Sequence, residues 1–279
     1  MVDWNLCDIL PEGERIHVLD IGAAFVEEPP YQSLLKAGRA TITAFEPDDQ
    51  ARARLLEIYG DEHRILPNFV GTGEARNFHQ LNWPITSSLL PPNTPLLLKF
   101  QMLEEVMQPV GQRLVETVRL DDLHEIQDVD FIKIDVQGGE LDVLSHAGRL
   151  LPDVLLIQVE VEFVTLYRNQ PLFADVDRFL RSAGFQFHTF HSLSGRAFKP
   201  MIPEAGACSP FRQLLWSDAL YVADWMKLDR LDDRRLRRYA VLAHDVLRSY
   251  DLAHLILSEL DRRTGELMAD LYLIMHNQA

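Results

Sequence analysis

The segment 130–140 constrains the fold more than any other part of the sequence. It reads DFIKIDVQGGE, a short apolar run that ends in Asp135, passes two glycines and enters a helical pattern. This order predicts a buried strand that delivers a carboxylate to a crevice, because ligands of open α/β sheets bind outside the carboxyl ends of the strands. We therefore expect Asp135 to lie at a functional site.

Two earlier strands are predicted to end in acidic residues in the same way. The run 16–22 contains Asp20 and Gly22 at its end, and the run 41–48 leads into Glu46. A helical pattern follows each of them. This alternation of strands and helices is typical of a parallel sheet with right-handed crossovers. The sequence thus predicts an α/β fold in which three carboxylates meet at one edge of the sheet.

The composition argues against several classes of partner. The formal net charge of −15 disfavours a nucleic-acid partner, because nucleic-acid binding depends on Lys and Arg that neutralise phosphates. No apolar run reaches the roughly 18 residues of a membrane span, and the sequence does not start like a secretory signal. Cys7 and Cys208 lie far apart, which favours reduced thiols. We therefore expect a cytoplasmic protein without a membrane span.

The rest of the chain predicts a long loop and a helical end. Residues 65–110 are rich in Pro, Gly, Asn and Ser, so we expect an irregular loop that shapes an acceptor pocket. From Leu236 to Tyr250 the apolar residues recur at helical spacing. We therefore place one domain at 1–226 and a helical appendage at 227–279. Its apolar face is expected to pack on the core or to form a homodimer.

The first strand end favours a nucleoside cofactor without phosphates. After Gly22 the chain continues Ala23-Ala24-Phe25-Val26, which lacks the glycine pattern that a dinucleotide pyrophosphate needs. Glu46, at the end of the next strand, stands where a carboxylate can bind both hydroxyls of a ribose. We therefore expect S-adenosylmethionine, a common cofactor of this kind, and not a nicotinamide or flavin dinucleotide.

Taken together, these segments resemble the FkbM family of S-adenosylmethionine-dependent methyltransferases. The resemblance spans about residues 16–224 and is carried by the segments 18–23, 45–48, 87–89, 118–123 and 132–140. It implies a Rossmann-like fold with a seven-stranded methyltransferase sheet and helices on both faces. It also implies O-methylation of a hydroxyl on a small molecule or glycan, such as a sugar or polyketide. The cofactor-binding residues that it implies are Asp20, Gly22, Ala23, Glu46, Pro47, Asp48 and Ser88.

The chain departs from the family pattern at a few positions. Ala24 and Val26 stand where the family commonly has Asn and a second Gly, while Gln137 and Gly139 replace a common Glu and a common Ala. These departures and the added helices motivate an alternative function. In that alternative, the protein is a non-catalytic subunit that keeps the fold and binds a protein partner through its C-terminal helices.

Asp135 is the candidate base, or the group that orients the acceptor hydroxyl. Methyl transfer to a hydroxyl needs an aligned approach and removal of the hydroxyl proton. The alternative role for Asp135 is to cap the N–H groups of the following helix. Glu160 and Glu162 share one face of a later strand, and a Glu160 beside Asp135 could bind a divalent cation. We prefer a solvated strand end for these two residues and assign no metal.

Overall fold

The computed structural model describes residues 4–24 and 28–278 as strands, helices and connecting turns. In chain order the strands are β1 (Ile16–Ile21), β2 (Ala40–Phe45), β3 (Arg64–Leu66), β4 (Phe69–Val70), β5 (Ala75–Leu81), β6 (Pro109–Val118), β7 (Phe131–Ile134), β8 (Leu156–Glu162), β9 (Phe185–Phe190), β10 (Ser194–Gly195) and β11 (Leu214–Ala223). The helices are α1 (Gln32–Lys36), α2 (Asp49–Tyr59), α3 (Thr94–Leu97), α4 (Leu103–Val106), α5 (Glu140–Ser145), α6 (Phe173–Ser182), α7 (Asp233–Val241), α8 (Tyr250–Thr264) and α9 (Met268–Gln278). Within the described residues, no helix is long and apolar enough to cross a membrane.

The large sheet is mostly parallel and confirms the predicted α/β fold. Its order is β3-β2-β1-β7-β8-β11, and β9 and β10 both pair with the side of β11 that faces away from β8. The strands from β3 to β8 in this order run parallel, and β11 runs antiparallel to β8. β9 and the two-residue β10 pair with different parts of β11 and together occupy one strand position of the sheet. The eight strands therefore fill seven positions, as expected for the seven-stranded sheet that the resemblance implied.

The sheet is buried on both faces, each under its own helices. On one face, α5 and α6 cover apolar strand residues such as Leu19 and Ile132. On the other face, α7, α8 and α9 cover residues such as Val18 and Phe131. Burial on both faces explains why the central strands are almost continuously apolar. The helices after residue 226 therefore share a core with the sheet.

The face under α7, α8 and α9 is apolar only along the first part of each strand. Side chains alternate between faces, so every second residue after Val18 lies on this face. The charged residues that share it, toward the carboxyl ends of the parallel strands, are Asp20, Glu46, Lys133, Asp135, Glu160 and Glu162. The helices thus cover the apolar part of the face, and the charged residues lie beyond it.

The prediction of one irregular loop over residues 65–110 is wrong in part. This segment contains β4, β5, α3 and α4, and β5 pairs with β6 in a second sheet of order β4-β6-β5. Most side chains of β5 and β6 are exposed or half-buried, so no apolar alternation marks these strands in the sequence. Leu97, Phe100 and Leu103 of this segment form a small separate core with Tyr167.

A buried ion pair connects α7 to the start of the sheet. Arg238 of α7 donates to the two carboxylate oxygens of Asp130 at 3.0 and 2.9 Å and to Glu14 at 2.7 Å. Asp130 also accepts the N–H group of His17 at 2.8 Å. The side chains of Arg238 and Asp130 are 4% and 5% exposed, so water cannot replace either partner.

We expect Arg238→Ala to lower the free energy of unfolding by roughly 3–5 kcal/mol, because it leaves the buried Asp130 carboxylate without its cation. The matched control is Arg262→Ala, which removes an exposed ion pair with Glu259 on α8 and should cost less than about 1 kcal/mol. Denaturant unfolding of both variants beside the wild type measures the difference. Equal losses in the two variants would contradict the importance of the buried pair.

Candidate active site

The end of β1 carries a buried ionic cluster centred on Asp20. Its carboxylate accepts hydrogen bonds from the Tyr31 hydroxyl at 2.6 Å and from the Lys133 ammonium at 3.3 Å. Lys133 lies opposite Asp20 on the neighbouring strand β7. Burial lowers the pKa of Lys133, but the charges of Asp20 and Asp135 outweigh burial and the net shift is upward. Lys133 therefore stays charged and offsets part of the negative charge of the two carboxylates.

Lys133 and Tyr31 were not among the residues predicted for the site. The sequence does contain a signal for Lys133, because it is a single cation inside the apolar strand Phe131–Ile134. A charged residue in a buried strand needs a partner of opposite charge. No comparable signal exists for Tyr31, which reaches Asp20 only through the fold of the segment before α1.

Gly22 forms the turn at which β1 meets β7. Its φ is +80°, and an added Cβ would lie 1.9 Å from the carbonyl oxygen of Asp135. The N–H groups of Gly22 and Ala23 donate to the carbonyl of Phe45 at 3.0 and 3.2 Å. This close approach brings the ends of β1, β2 and β7 together. The departure from the family pattern at Val26 lies outside the described residues.

Glu46 is buried directly after β2, with 5% of its surface exposed. Its carboxylate accepts the N–H group of Asp48 at 2.8 Å. Burial raises the pKa of Glu46 to about 6, although this hydrogen bond opposes the shift. The next residue, Pro47, lines an open cleft of about 560 Å³ together with residues such as Phe69 and Arg113.

The side chains of Asp48 and Ser88 have partners within the protein. Asp48 caps α2 by accepting two N–H groups of its first turn at 3.0 and 2.9 Å. The hydroxyl of Ser88 donates to the carbonyl of Gln137 at 2.6 Å and accepts the N–H group of Leu90 at 2.9 Å. Both residues therefore shape the edges of the crevice, and their contact with a cofactor stays a prediction.

Asp135 and Glu160 lie side by side at the ends of β7 and β8 and are joined by Gln137. The amide nitrogen of Gln137 donates to Asp135 at 2.7 Å and to Glu160 at 2.8 Å. The amide oxygen of Gln137 accepts the hydroxyl of Tyr167 at 2.9 Å. In the sequence, Gln137 stands out only as a departure from the family pattern. Two of its three partners, Glu160 and Tyr167, lie 23 and 30 positions further along the chain.

Glu140, and not Asp135, binds the backbone that leads into α5. Its buried carboxylate accepts the N–H groups of Val136 and Gly138 at 2.9 and 3.1 Å. Burial raises the pKa of Glu140 to about 7, and the nearby charge of Asp135 adds to the shift. Glu140 thus holds the turn that precedes α5, whose first turn has no side-chain cap, and the role of Asp135 stays a prediction.

The acidic residues at this edge are too close together for all of them to be ionised. Carboxylate oxygens of Asp135, Glu140 and Glu160 lie within 4.8 Å of one another. Burial raises the pKa of Glu160 well above its ordinary value, and the charges of Asp135 and Glu162 add to the shift. Glu162 is only 2% exposed, so the solvated strand end expected here is not found. The cluster therefore holds at least one proton near neutral pH.

The sequence of the chain matches known methyltransferases across this site. Residues 20–187 match the family model described as the methyltransferase FkbM domain. A curated relative, the 2-O-methyltransferase NoeI of Sinorhizobium fredii, is 31% identical over 153 residues, which are 50% of this chain and 61% of that protein. The match therefore spans less than two thirds of the length of this relative.

Two solved structures are more distant matches. Precorrin-6y C5,15-methyltransferase from Geobacter metallireducens is 12% identical with a TM-score of 0.37, and the match covers 78% of this chain and 85% of that one. A SAM dependent methyltransferase from Aquifex aeolicus is 13% identical with a TM-score of 0.30, and the match covers 74% of this chain and 82% of that one. Neither similarity is close enough to bear on function.

We expect Gly22→Ala to disrupt the ends of β1 and β7, because the new Cβ would overlap the carbonyl oxygen of Asp135. Gly38→Ala is the matched control. Gly38 has a φ of +66° but no atom within 4 Å of an added Cβ, so that variant bears only the backbone strain of roughly 1–2 kcal/mol. Thermal unfolding of the two variants separates the clash from the strain. Equal melting temperatures would show that the close approach is unimportant.

Proposed function

Because the chain belongs to the FkbM methyltransferase family, we propose that it is an S-adenosylmethionine-dependent O-methyltransferase. Its acceptor is a hydroxyl group of a small molecule or glycan. This proposal rests on one observation: Glu46 and the Asp135–Glu160 pair lie on the same face of the sheet, at the carboxyl ends of its strands. Glu46 is suited to a ribose, and the Asp135–Glu160 pair is suited to the proton of a hydroxyl.

The residues at the ends of β1 and β2 fit a nucleoside cofactor. The Glu46 carboxylate can accept hydrogen bonds from both ribose hydroxyls, and the glycine turn at Gly22 allows a ligand to approach the backbone closely. When bound, S-adenosylmethionine would supply an electrophilic methyl group on a positively charged sulfonium. The carboxylates of Asp20, Glu46 and Asp135 give this edge a negative potential, which favours a cationic ligand.

Asp135 is the residue that we assign to the acceptor hydroxyl. It is half-buried directly after β7, where a ligand in the crevice outside the strand ends would lie. A carboxylate within hydrogen-bonding reach of a hydroxyl orients its oxygen and accepts its proton as the oxygen is methylated. The O–H bond breaks, and the proton passes to the Asp135 carboxylate.

The acidic lining and the relative both support this acceptor class. Hydroxyl groups donate hydrogen bonds to carboxylates, so a polyhydroxylated acceptor suits an edge that carries Asp135 and Glu160. A phosphorylated acceptor would be repelled by the same groups and by the net charge of −15. The printed name of NoeI, a 2-O-methyltransferase, supports oxygen as the atom that is methylated.

We expect S-adenosylhomocysteine to bind the wild type and to bind Glu46→Gln roughly 10- to 100-fold more weakly, because the variant loses a charged hydrogen-bond acceptor. The pKa of Glu46 is about 6, so Glu46 is ionised above this pH and protonated below it. Wild-type affinity should therefore fall as the pH drops through 6, while the affinity of the variant stays flat.

Isothermal calorimetry across this pH range measures both effects. Glu57→Gln is the control, since Glu57 is an exposed residue of the neighbouring helix α2. A folded wild type that does not bind S-adenosylhomocysteine would favour the alternative of a non-catalytic subunit.

We expect Asp135→Asn to lower kcat by roughly 10²- to 10⁴-fold, because the amide cannot accept the proton of the hydroxyl. The affinity for S-adenosylhomocysteine should not change. Asp142→Asn, at an exposed position of α5, is the control. The assay follows release of S-adenosylhomocysteine with a panel of neutral glycans as acceptors. Turnover by Asp135→Asn equal to that of the wild type would remove Asp135 as the base.

A further inference from the structure

Gln137 has a backbone conformation that few residues adopt. Its φ is +59°, in the left-handed region that side chains with a Cβ rarely enter. The hydrogen bond from the Ser88 hydroxyl to the Gln137 carbonyl at 2.6 Å helps to hold this conformation. Strained backbone of this kind clusters at functional sites and persists only where its surroundings stabilise it. The strain indicates that the contacts of the Gln137 side chain matter to the site.

The side-chain hydrogen bonds of Gln137 fix the direction in which its amide faces. The amide oxygen faces the hydroxyl of the buried Tyr167, and the amide nitrogen faces the carboxyl groups of Asp135 and Glu160. An amide turned the other way would point its oxygen at both carboxyl groups, of which the ionised one can only accept hydrogen bonds. One N–H group is therefore available to each carboxyl group.

The pair of carboxyl groups lies among other charged and titratable groups. Those that face it or act on it are Lys133 on β7, Glu140 on α5, Glu162 on β8, Asp218 on β11 and Tyr167. Burial and the charge of Asp135 both raise the pKa of Glu160 well above its ordinary value. Carboxyl groups that lie this close together favour a state in which they share one proton, as in other close carboxyl pairs.

We propose that Gln137 is a positioning residue, whose two amide hydrogens hold Asp135 and Glu160 side by side in the singly protonated state. The Tyr167 hydroxyl, which is shared between the carbonyl of Thr86 at 2.7 Å and the Gln137 amide oxygen at 2.9 Å, supports the amide orientation that this requires. The inference rests on the proposed function of Asp135 as the base. Without the amide, the ionised member of the pair would lose a hydrogen-bond donor and the pair would take up a second proton more readily. The doubly protonated pair cannot accept the proton of an acceptor hydroxyl.

The test is a titration of the side-chain carboxyl groups by carbon NMR, without cofactor or acceptor. In Gln137→Ala we expect the first apparent pKa of the pair to rise by about one unit, because a hydrogen bond to a charged group favours the ionised form by about this amount. The acid limb of the kcat/KM profile should move to higher pH by the same amount. Gln127→Ala, at an exposed position away from the pair, should titrate as the wild type does.

Tyr167→Phe provides a second variant that leaves Gln137 in place. It keeps the aromatic ring in its core and removes the hydroxyl that contacts both the Gln137 amide and the carbonyl of Thr86. We expect a smaller shift of the same titration in the same direction. This variant also tests the inference if Gln137→Ala fails to fold, which a thermal melt would reveal.

Two results would overturn the inference. The first is an unchanged carboxyl titration in folded Gln137→Ala, or in folded Tyr167→Phe if only that variant folds. The second is wild-type turnover that a chelator abolishes and Mg²⁺ restores, because a cation would then hold the pair together. The titration needs no turnover, so failure of Asp135 as the base and failure of the Gln137 inference give different results.

Discussion

The close approach of β1 and β7 at their carboxyl ends is the constraint on which the site depends. Gly22 has no Cβ, so its backbone can lie against the carbonyl of Asp135. The pairing of these two strands also places Asp20 opposite Lys133. A larger residue at position 22 would push the two strand ends apart. The glycine thus sets how closely the strand ends approach, and the strand pairing sets which charges meet there.

The protein also stabilises many carboxyl groups in a small, buried volume. Lys133 balances Asp20, and two backbone N–H groups bind Glu140. The Gln137 amide serves Asp135 and Glu160 together. Each donor comes from β7 or from the turn that follows it. The segment that is most distinctive in the sequence therefore supplies the acids and also their hydrogen-bond donors.

The sequence predicted the strands around Asp20, Glu46 and Asp135 and the helical end of the chain, because apolar runs and glycine turns are local signals. It did not predict β5, whose side chains face solvent and leave no apolar alternation. Nor did it predict the contact between Tyr167 and Gln137, which lie 30 positions apart and meet only through folding of the segment after β8. The roles of Lys133 and Gln137 became clear only when their partners were known.

The sequence by itself determined the fold class, the position of the carboxylates and the identity of the turn residues, since each of these depends on a few neighbouring side chains. The tertiary structure decided which acids are buried, which share a proton and which donors they bind. Those properties depend on distances between different strands, and distance and burial set the energy of a charge. Glu46, Glu140 and Glu160 are ordinary acids in the sequence and become unusual only in their folded environment.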